Sequence, residues 1–241
     1  MPGSTRSKLR GAVKTSLGVP LSVLYRLNAR ACPGRLLRLI GIATAKATPN
    51  FATLERIASS MEPFDGAVAE CGVYQGLTLL GVAHIFRLRG IRSRLYGFDS
   101  FKGLPEPVAQ DQLADGSIPE PARKGFFSDT SYEAVRRRFD RLGYDRVTLI
   151  QGYFEDTLPR VQDERFSLVH LDCDLYESYK TCLEFFYPRM RPGGYIVLDE
   201  YDFSAAVYPG AQKAIDEFLA DKPEKLQSFD FARVRYFLQK L

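Results

Sequence analysis

Gly66-Ala-Val-Ala-Glu70-Cys-Gly-Val-Tyr-Gln-Gly76 runs from a short apolar stretch through a carboxylate into a turn carrying two glycines, with helical spacing following at 76–89. Such a strand, turn and helix let backbone N–H groups at Gly72 and Gly76 approach a bound molecule closely. The pattern is not G-x-G-x-x-G, because the two glycines lie four apart behind Glu70. That spacing disfavours the pyrophosphate loop of a dinucleotide site.

The same alternation continues along the chain. Strands are expected at 67–71, 94–98, 147–151, 166–172 and 195–199, and helices at 76–89, 131–142, 176–187 and 209–220. Short apolar runs alternating with helices of about a dozen residues specify a parallel sheet with right-handed crossovers. The ending differs, since the strand-like runs 226–230 and 234–239 are joined only by 231–233. So short a connection suits an antiparallel pair.

Acidic residues close the apolar runs: Glu70 the first, Asp99 the second, Asp172 the run from Phe166, and Asp199-Glu200 the run from Tyr195. In a parallel sheet these carboxyl ends share the edge where open α/β folds bind ligands. Such a concentration of charge suits a polar cofactor, a divalent metal, or both. Asp99, 23 residues beyond Gly76, stands where an acidic side chain commonly accepts ribose hydroxyls. With the Glu70 loop it points to an adenosine-containing cofactor.

A chain of 241 residues, 45% apolar, suffices for one core plus an appendage, and no stretch approaches the roughly 20 apolar residues of a membrane span. The expected division is a basic helical arm at 1–50 and one domain at 51–241. The first 54 residues hold nine lysines and arginines and no acid, within a net charge of +4. This start suits a transit peptide, a membrane-surface helix, an arm docking on an acidic neighbour or a sister subunit, or a solvated basic face. Without interleaved aromatics it offers no specific nucleic-acid readout. Cys32, Cys71, Cys173 and Cys182 lack CxxC spacing and read as reduced, buried thiols, which places the protein in the cytoplasm. Residues 100–130, rich in proline and glycine, read as a functional loop whose Phe126 and Phe127 close over a ligand.

Several motifs in order resemble class I S-adenosylmethionine-dependent methyltransferases, and more narrowly the macrocin O-methyltransferase family. They are Glu70-Cys-Gly-Val-Tyr-Gln-Gly76, Gly97-Phe-Asp-Ser-Phe-Lys-Gly-Leu-Pro105, Lys124-Gly-Phe-Phe-Ser-Asp-Thr130 and Gln151-Gly-Tyr-Phe-Glu-Asp-Thr-Leu-Pro159. They continue with His170-Leu-Asp-Cys-Asp-Leu-Tyr-Glu-Ser178, Pro192-Gly-Gly194, Asp199-Glu-Tyr201 and Pro209-Gly-Ala-Gln-Lys-Ala-Ile-Asp-Glu-Phe218. The resemblance implies an α/β, Rossmann-like sheet, mostly parallel with an antiparallel C-terminal pair. It also implies that Glu70, Gly72, Tyr74 and Gly76 surround the methionine part of S-adenosylmethionine. Asp99 and Ser100 would hold the ribose, with Gln151, Gly152 and Phe154 near adenine.

By the same resemblance Asp172, Asp199 and Glu200 hold Mg2+ or another divalent cation, which agrees with magnesium's preference for carboxylate oxygens. Asp172 is the expected base as well, with Asp174 as alternate, although Asp174 equally suits a cap of the helix starting near Tyr176. Two departures stand out. Tyr179 occupies a position where the family pattern often has threonine, and Glu200 one where many members have a second aspartate. His84 reads as a packed histidine. His170 shares a strand face with Asp172 and is either a ligand-orienting or a satisfied core residue.

Tyr201, Phe203 and Tyr208 are either walls of an acceptor pocket or ordinary packing. The function implied is metal-dependent methylation of a hydroxyl on a sugar or glycosylated small molecule, with a catechol or other phenol as the alternative acceptor. A dinucleotide oxidoreductase would need a pyrophosphate loop, and Tyr176 with Lys180 reads as helix surface. A methyltransferase-like fold retained only for binding is the remaining alternative.

Overall fold

The computed structural model describes residues 54, 56–58, 60, 65–202, 206–228 and 236–241. The expected 1–50 arm, Cys32 and the 231–233 connection lie outside them. Strands β1 (Ala67–Cys71), β2 (Leu95–Asp99), β3 (Val147–Gln151), β4 (Phe166–Leu171), β5 (Met190–Leu198), β6 (Gln227–Ser228) and β7 (Tyr236–Gln239) form one sheet in the order β3-β2-β1-β4-β5-β7-β6. The first five run parallel, while β7 is antiparallel to both β5 and β6. The mostly parallel sheet with a reversed C-terminal pair therefore matches the sequence expectation.

Helices α1 (Leu77–Arg89) and α2 (Tyr132–Arg141) cover one face, and α3 (Tyr176–Phe186) and α4 (Pro209–Leu219) the other. The period-2 alternation of strand side chains divides the core accordingly. Val68, Leu95, Leu168 and Val197 meet α1 and α2, joined by buried Leu54, Ile57 and Ala58 from upstream. Ala69, Phe98, Val169 and Ile196 meet α3 and α4. On β2, Gly97 makes room for α1, because a Cβ there would lie 2.6 Å from the Leu79 side chain.

Three differences from the sequence expectation have local causes. Strand β5 begins at Met190 rather than 195, because Pro192-Gly193-Gly194 bulges while pairing continues: Phe166 aligns with Met190 but Leu168 with Tyr195. A helical turn at Phe154–Thr157 followed by a 3-10 turn at Leu158–Val161 is too short to show a period. The 100–130 segment is closed at its neck, where Leu104 N–H donates to the Phe126 carbonyl at 3.0 Å and Gly125 N–H to the Leu104 carbonyl at 2.9 Å.

Asp111 fastens that segment to the body. Its carboxylate accepts N–H bonds from Val108 at 2.9 Å and from Tyr176, the first residue of α3, at 2.8 Å. Gly210 of α4 packs so tightly on it that an added Cβ would lie 1.9 Å from Asp111 Oδ1. A buried carboxylate stays favourable only while such donors persist. Asp111→Ala is expected to cost about 1–3 kcal/mol of stability by leaving buried N–H groups unpaired, read as a lower denaturant midpoint with unchanged slope.

His84 is the packed histidine expected, 5% exposed, with Nδ1 2.8 Å from the Tyr144 hydroxyl. Burial, assisted by the charge of Arg87, pushes its imidazole down to about 4. The unfolded chain takes up that proton near pH 6.5 and the folded chain only near 4, so stability present above pH 6.5 declines as pH falls through this window. Because the raised carboxylates titrate alike in both proteins, denaturant titrations at pH 7 and pH 4.5 should show the wild type losing about 2 kcal/mol relative to His84→Phe.

Candidate active site

Pairing in register carries the carboxylates to one rim. The ladders run past the strand ends: Gly72 N–H reaches the Phe98 carbonyl at 3.0 Å, Asp172 N–H the Cys71 carbonyl at 2.9 Å, and Asp199 N–H the Leu171 carbonyl at 2.9 Å. β1 and β4 are neighbours from which the chain winds in opposite directions, so the crevice between their carboxyl ends is the binding position of an open α/β sheet. Gly72 is required there. Its φ is +88°, and an added Cβ would sit 1.7 Å from the Asp172 carbonyl oxygen.

Register sets Glu70 opposite His170, and their side chains meet: Nδ1 lies 3.0 Å from Glu70 Oε1, while Nε2 lies 3.5 Å from Asp199 Oδ1. Burial alone would discharge this imidazole. The proximity of Asp199 and Glu70 outweighs burial and raises it to about 10, which favours the charged imidazole between the two carboxylates. Glu70 is itself raised, by burial against the opposing pull of His170. The structure thus places His170 between Glu70 and Asp199, buried at the rim.

Asp172, Asp174 and Glu200 form a second group on the other side of Asp172. Each contributes an oxygen within 4.8 Å of the others, and a ring nitrogen of His170 lies equally near oxygens of Asp172 and Asp199. Asp172 is pushed up to about 7, chiefly by burial and then by Asp199, and it shares a hydrogen bond with Glu200. Asp174 and Glu200 are raised well above the carboxylate range, first by burial and then by Asp172. Carboxylates that must share protons when alone suit a site built for a cation.

Asp174 joins this group by a feature invisible in the sequence, a left-handed φ of 64°. The helix-cap role open to it is filled instead by Asp111, which accepts the Tyr176 N–H, while Leu175 at the cap position contributes no side-chain bond. Tyr208 hydrogen-bonds Asp174, and Tyr201 donates to Asp216 at 2.7 Å and packs on Tyr236. Phe203 lies outside the described residues.

Across the crevice, Asp99 is held by the glycine turn: Oδ2 accepts the Tyr74 N–H and Oδ1 the Phe101 N–H, each at 2.6 Å. The Ser100 hydroxyl donates to the Gly103 carbonyl at 2.8 Å and accepts from Lys102 N–H, closing its own turn. Gln151 pairs with Asp99 across β2 and β3, and Gly152 N–H donates to the Asp99 carbonyl, so Gln151, Gly152 and Phe154 continue that rim. The Tyr74 hydroxyl bonds Asp129 at 2.8 Å and its ring meets Phe127 edge-on, while Gly76 opens α1. The 100–130 segment is thereby latched to the glycine turn. Behind the rim, Cys71, Cys173 and Cys182 are buried free thiols, as expected.

A sequence profile described as macrocin O-methyltransferase (TylF) matches residues 40–236. A Streptomyces olivaceus 8-demethyl-8-(2,3-dimethoxy-α-L-rhamnosyl)-tetracenomycin-C 4'-O-methyltransferase is 34% identical over 58% of this chain and 54% of its own. Mycinamicin III 3''-O-methyltransferase from Micromonospora griseorubida is 30% identical over 64% of this chain and 60% of its own. The matched region thus spans little more than half of these relatives' length. Among solved structures, the O-methyltransferase NovP superposes with a TM-score of 0.64 at 26% identity, covering 81% of this chain and 79% of NovP. The calicheamicin methyltransferase CalS11 has a TM-score of 0.69 at 20% identity, covering 99% of each chain, a likeness of fold. No described helix is long and apolar enough to cross a membrane. With the profile spanning most of its length, the chain belongs to the macrocin O-methyltransferase family.

Proposed function

We propose that this chain transfers a methyl group from S-adenosylmethionine to a hydroxyl of a sugar carried by a small molecule, with a divalent cation such as Mg2+ at the strand-end carboxylates. The observation that carries the proposal is the convergence of Asp172, Asp174 and Glu200, with Asp199 also close to Asp172, beside the Gly72–Gly76 turn. The name of one relative, a 4'-O-methyltransferase of a rhamnosyl-tetracenomycin, supports a sugar acceptor.

In this proposal Glu70, Gly72, Tyr74 and Gly76 surround the methionine end of the donor. Asp99 accepts ribose hydroxyls through lone pairs left by its two N–H bonds, Ser100 shapes the turn beneath, and Gln151, Gly152 and Phe154 flank adenine. Asp172, Asp199 and Glu200 supply oxygens for the cation, with Asp174 within reach of the same group. The bound cation would lower the pKa of a coordinated hydroxyl.

Asp172 then accepts the hydroxyl proton. The oxygen lone pair forms the new C–O bond as the S–C bond breaks, its electrons returning to sulfur, so the sulfonium becomes a neutral thioether. No side chain acts as nucleophile. Alignment of the reacting atoms and placement of the base carry the rate.

Turnover of a glycoside bearing free sugar hydroxyls should require added Mg2+ and vanish with a chelator, whereas activity indifferent to chelator would contradict the cation. Side-by-side assays with a catechol distinguish the alternative acceptor. Asp172→Asn should lower turnover by about 10²–10⁴-fold while leaving donor binding within a few fold. Asp99→Ala should do the reverse, weakening calorimetric binding of S-adenosylmethionine by about 10-fold or more.

A further inference from the structure

Tyr179 and Glu200 touch each other across α3 and the end of β5. Tyr179 lies in α3 with its ring fully buried in the core facing that helix, and its hydroxyl stands 2.5 Å from Glu200 Oε2. The Glu200 N–H donates back to the same hydroxyl at 3.3 Å. The hydroxyl also lies 2.9 Å from the Leu171 carbonyl, but that oxygen already accepts the Asp199 N–H at 2.9 Å. Of the two acceptors, Glu200 is the nearer to the phenol. The Asp174 N–H lies 3.4 Å from the same Oε2, and Asp172 shares a hydrogen bond with Glu200.

We infer that Tyr179 and Glu200 are a matched pair in which the phenol is a positioning residue: by holding Oε2 it fixes the Glu200 carboxylate beside Asp172 and Asp174. A glutamate is longer than an aspartate by one carbon–carbon bond, roughly 1.5 Å, and brings one more rotatable bond. Unrestrained, it has more orientations to lose on binding a cation. A threonine hydroxyl at position 179 would end near the helix backbone, whereas the tyrosine ring carries its hydroxyl to the strand end. A charge-assisted bond from a rigid donor then fixes the longer side chain. This inference rests on the proposed cation site.

The test is Mn2+ titration, followed by electron paramagnetic resonance, of the wild type, Tyr179→Phe, Glu200→Asp and the double variant, without donor or acceptor present. Tyr179→Phe should weaken Mn2+ binding by about 10-fold, as loss of a partner behind a metal ligand commonly does. In Glu200→Asp, whose shorter carboxylate no longer meets the phenol, adding Tyr179→Phe should cost no more than about twofold further. Thermal unfolding in chelator checks that each variant is folded, and Leu171 keeps its Asp199 donor in all of them.

Equal affinity of wild type and Tyr179→Phe, or effects that simply multiply in the double variant, would overturn the pairing while leaving the cation site standing. Absence of Mn2+ binding by the wild type would overturn the cation site and the pairing with it.

Discussion

The in-register parallel pairing of β1, β4 and β5 is the constraint on which the site depends. Glu70 is level with His170 and Val197, and Cys71 with Leu171 and Leu198, so the next residues along, Gly72, Asp172 and Asp199, emerge at one height. A slip of one residue would reverse every side chain and send these acids into an apolar core. Separating the strands to relieve the crowding would break the Asp172 N–H bond to the Cys71 carbonyl and the Asp199 N–H bond to the Leu171 carbonyl. Acids confined in this way must be protonated, bridged by a cationic side chain, or neutralised by an added cation. His170 bridges Glu70 and Asp199, and the Asp172, Asp174 and Glu200 group lies beyond that bridge.

The rim divides into two halves of different character. On the β2 side, Asp99 is spent largely on ordering backbone: its bonds to Tyr74 and Phe101 fix the glycine turn and the start of the long loop. On the β4 and β5 side the acids face phenols and one another. Tyr179 meets Glu200 and Tyr208 meets Asp174. The first half is a preformed cradle, and the second concentrates negative charge against low-dielectric walls, where an added positive charge is bound more strongly than in water.

Much of this was legible in the sequence, since strand-end acids, alternating strands and helices, and a short final connection are local patterns. Glu70, Asp99, Asp172 and Asp199 could be placed on a common edge because parallel pairing converts chain position into height along the sheet. Asp174 could not be assigned, because its place depends on a single left-handed residue. Asp111 was hidden in a segment without periodicity, and its partners are 65 residues away in α3 as well as nearby. The early start of β5 was masked by a Pro-Gly-Gly sequence that normally breaks a strand. Tyr179 and Glu200 were readable singly, but their contact joins α3 to the end of β5 and exists only in the fold.

The central physical claim is that the rim holds a cation between Asp172 and Glu200 with the methyl donor on the adjoining glycine turn. Anomalous scattering from Mn2+ in crystals grown with S-adenosylhomocysteine tests it most directly. The expected result is a peak within bonding distance of Asp172 and Glu200, with the homocysteine sulfur over Gly72–Gly76. Clear density for the homocysteine ligand with no Mn2+ peak at those carboxylates, or a peak elsewhere on the molecule, would contradict it.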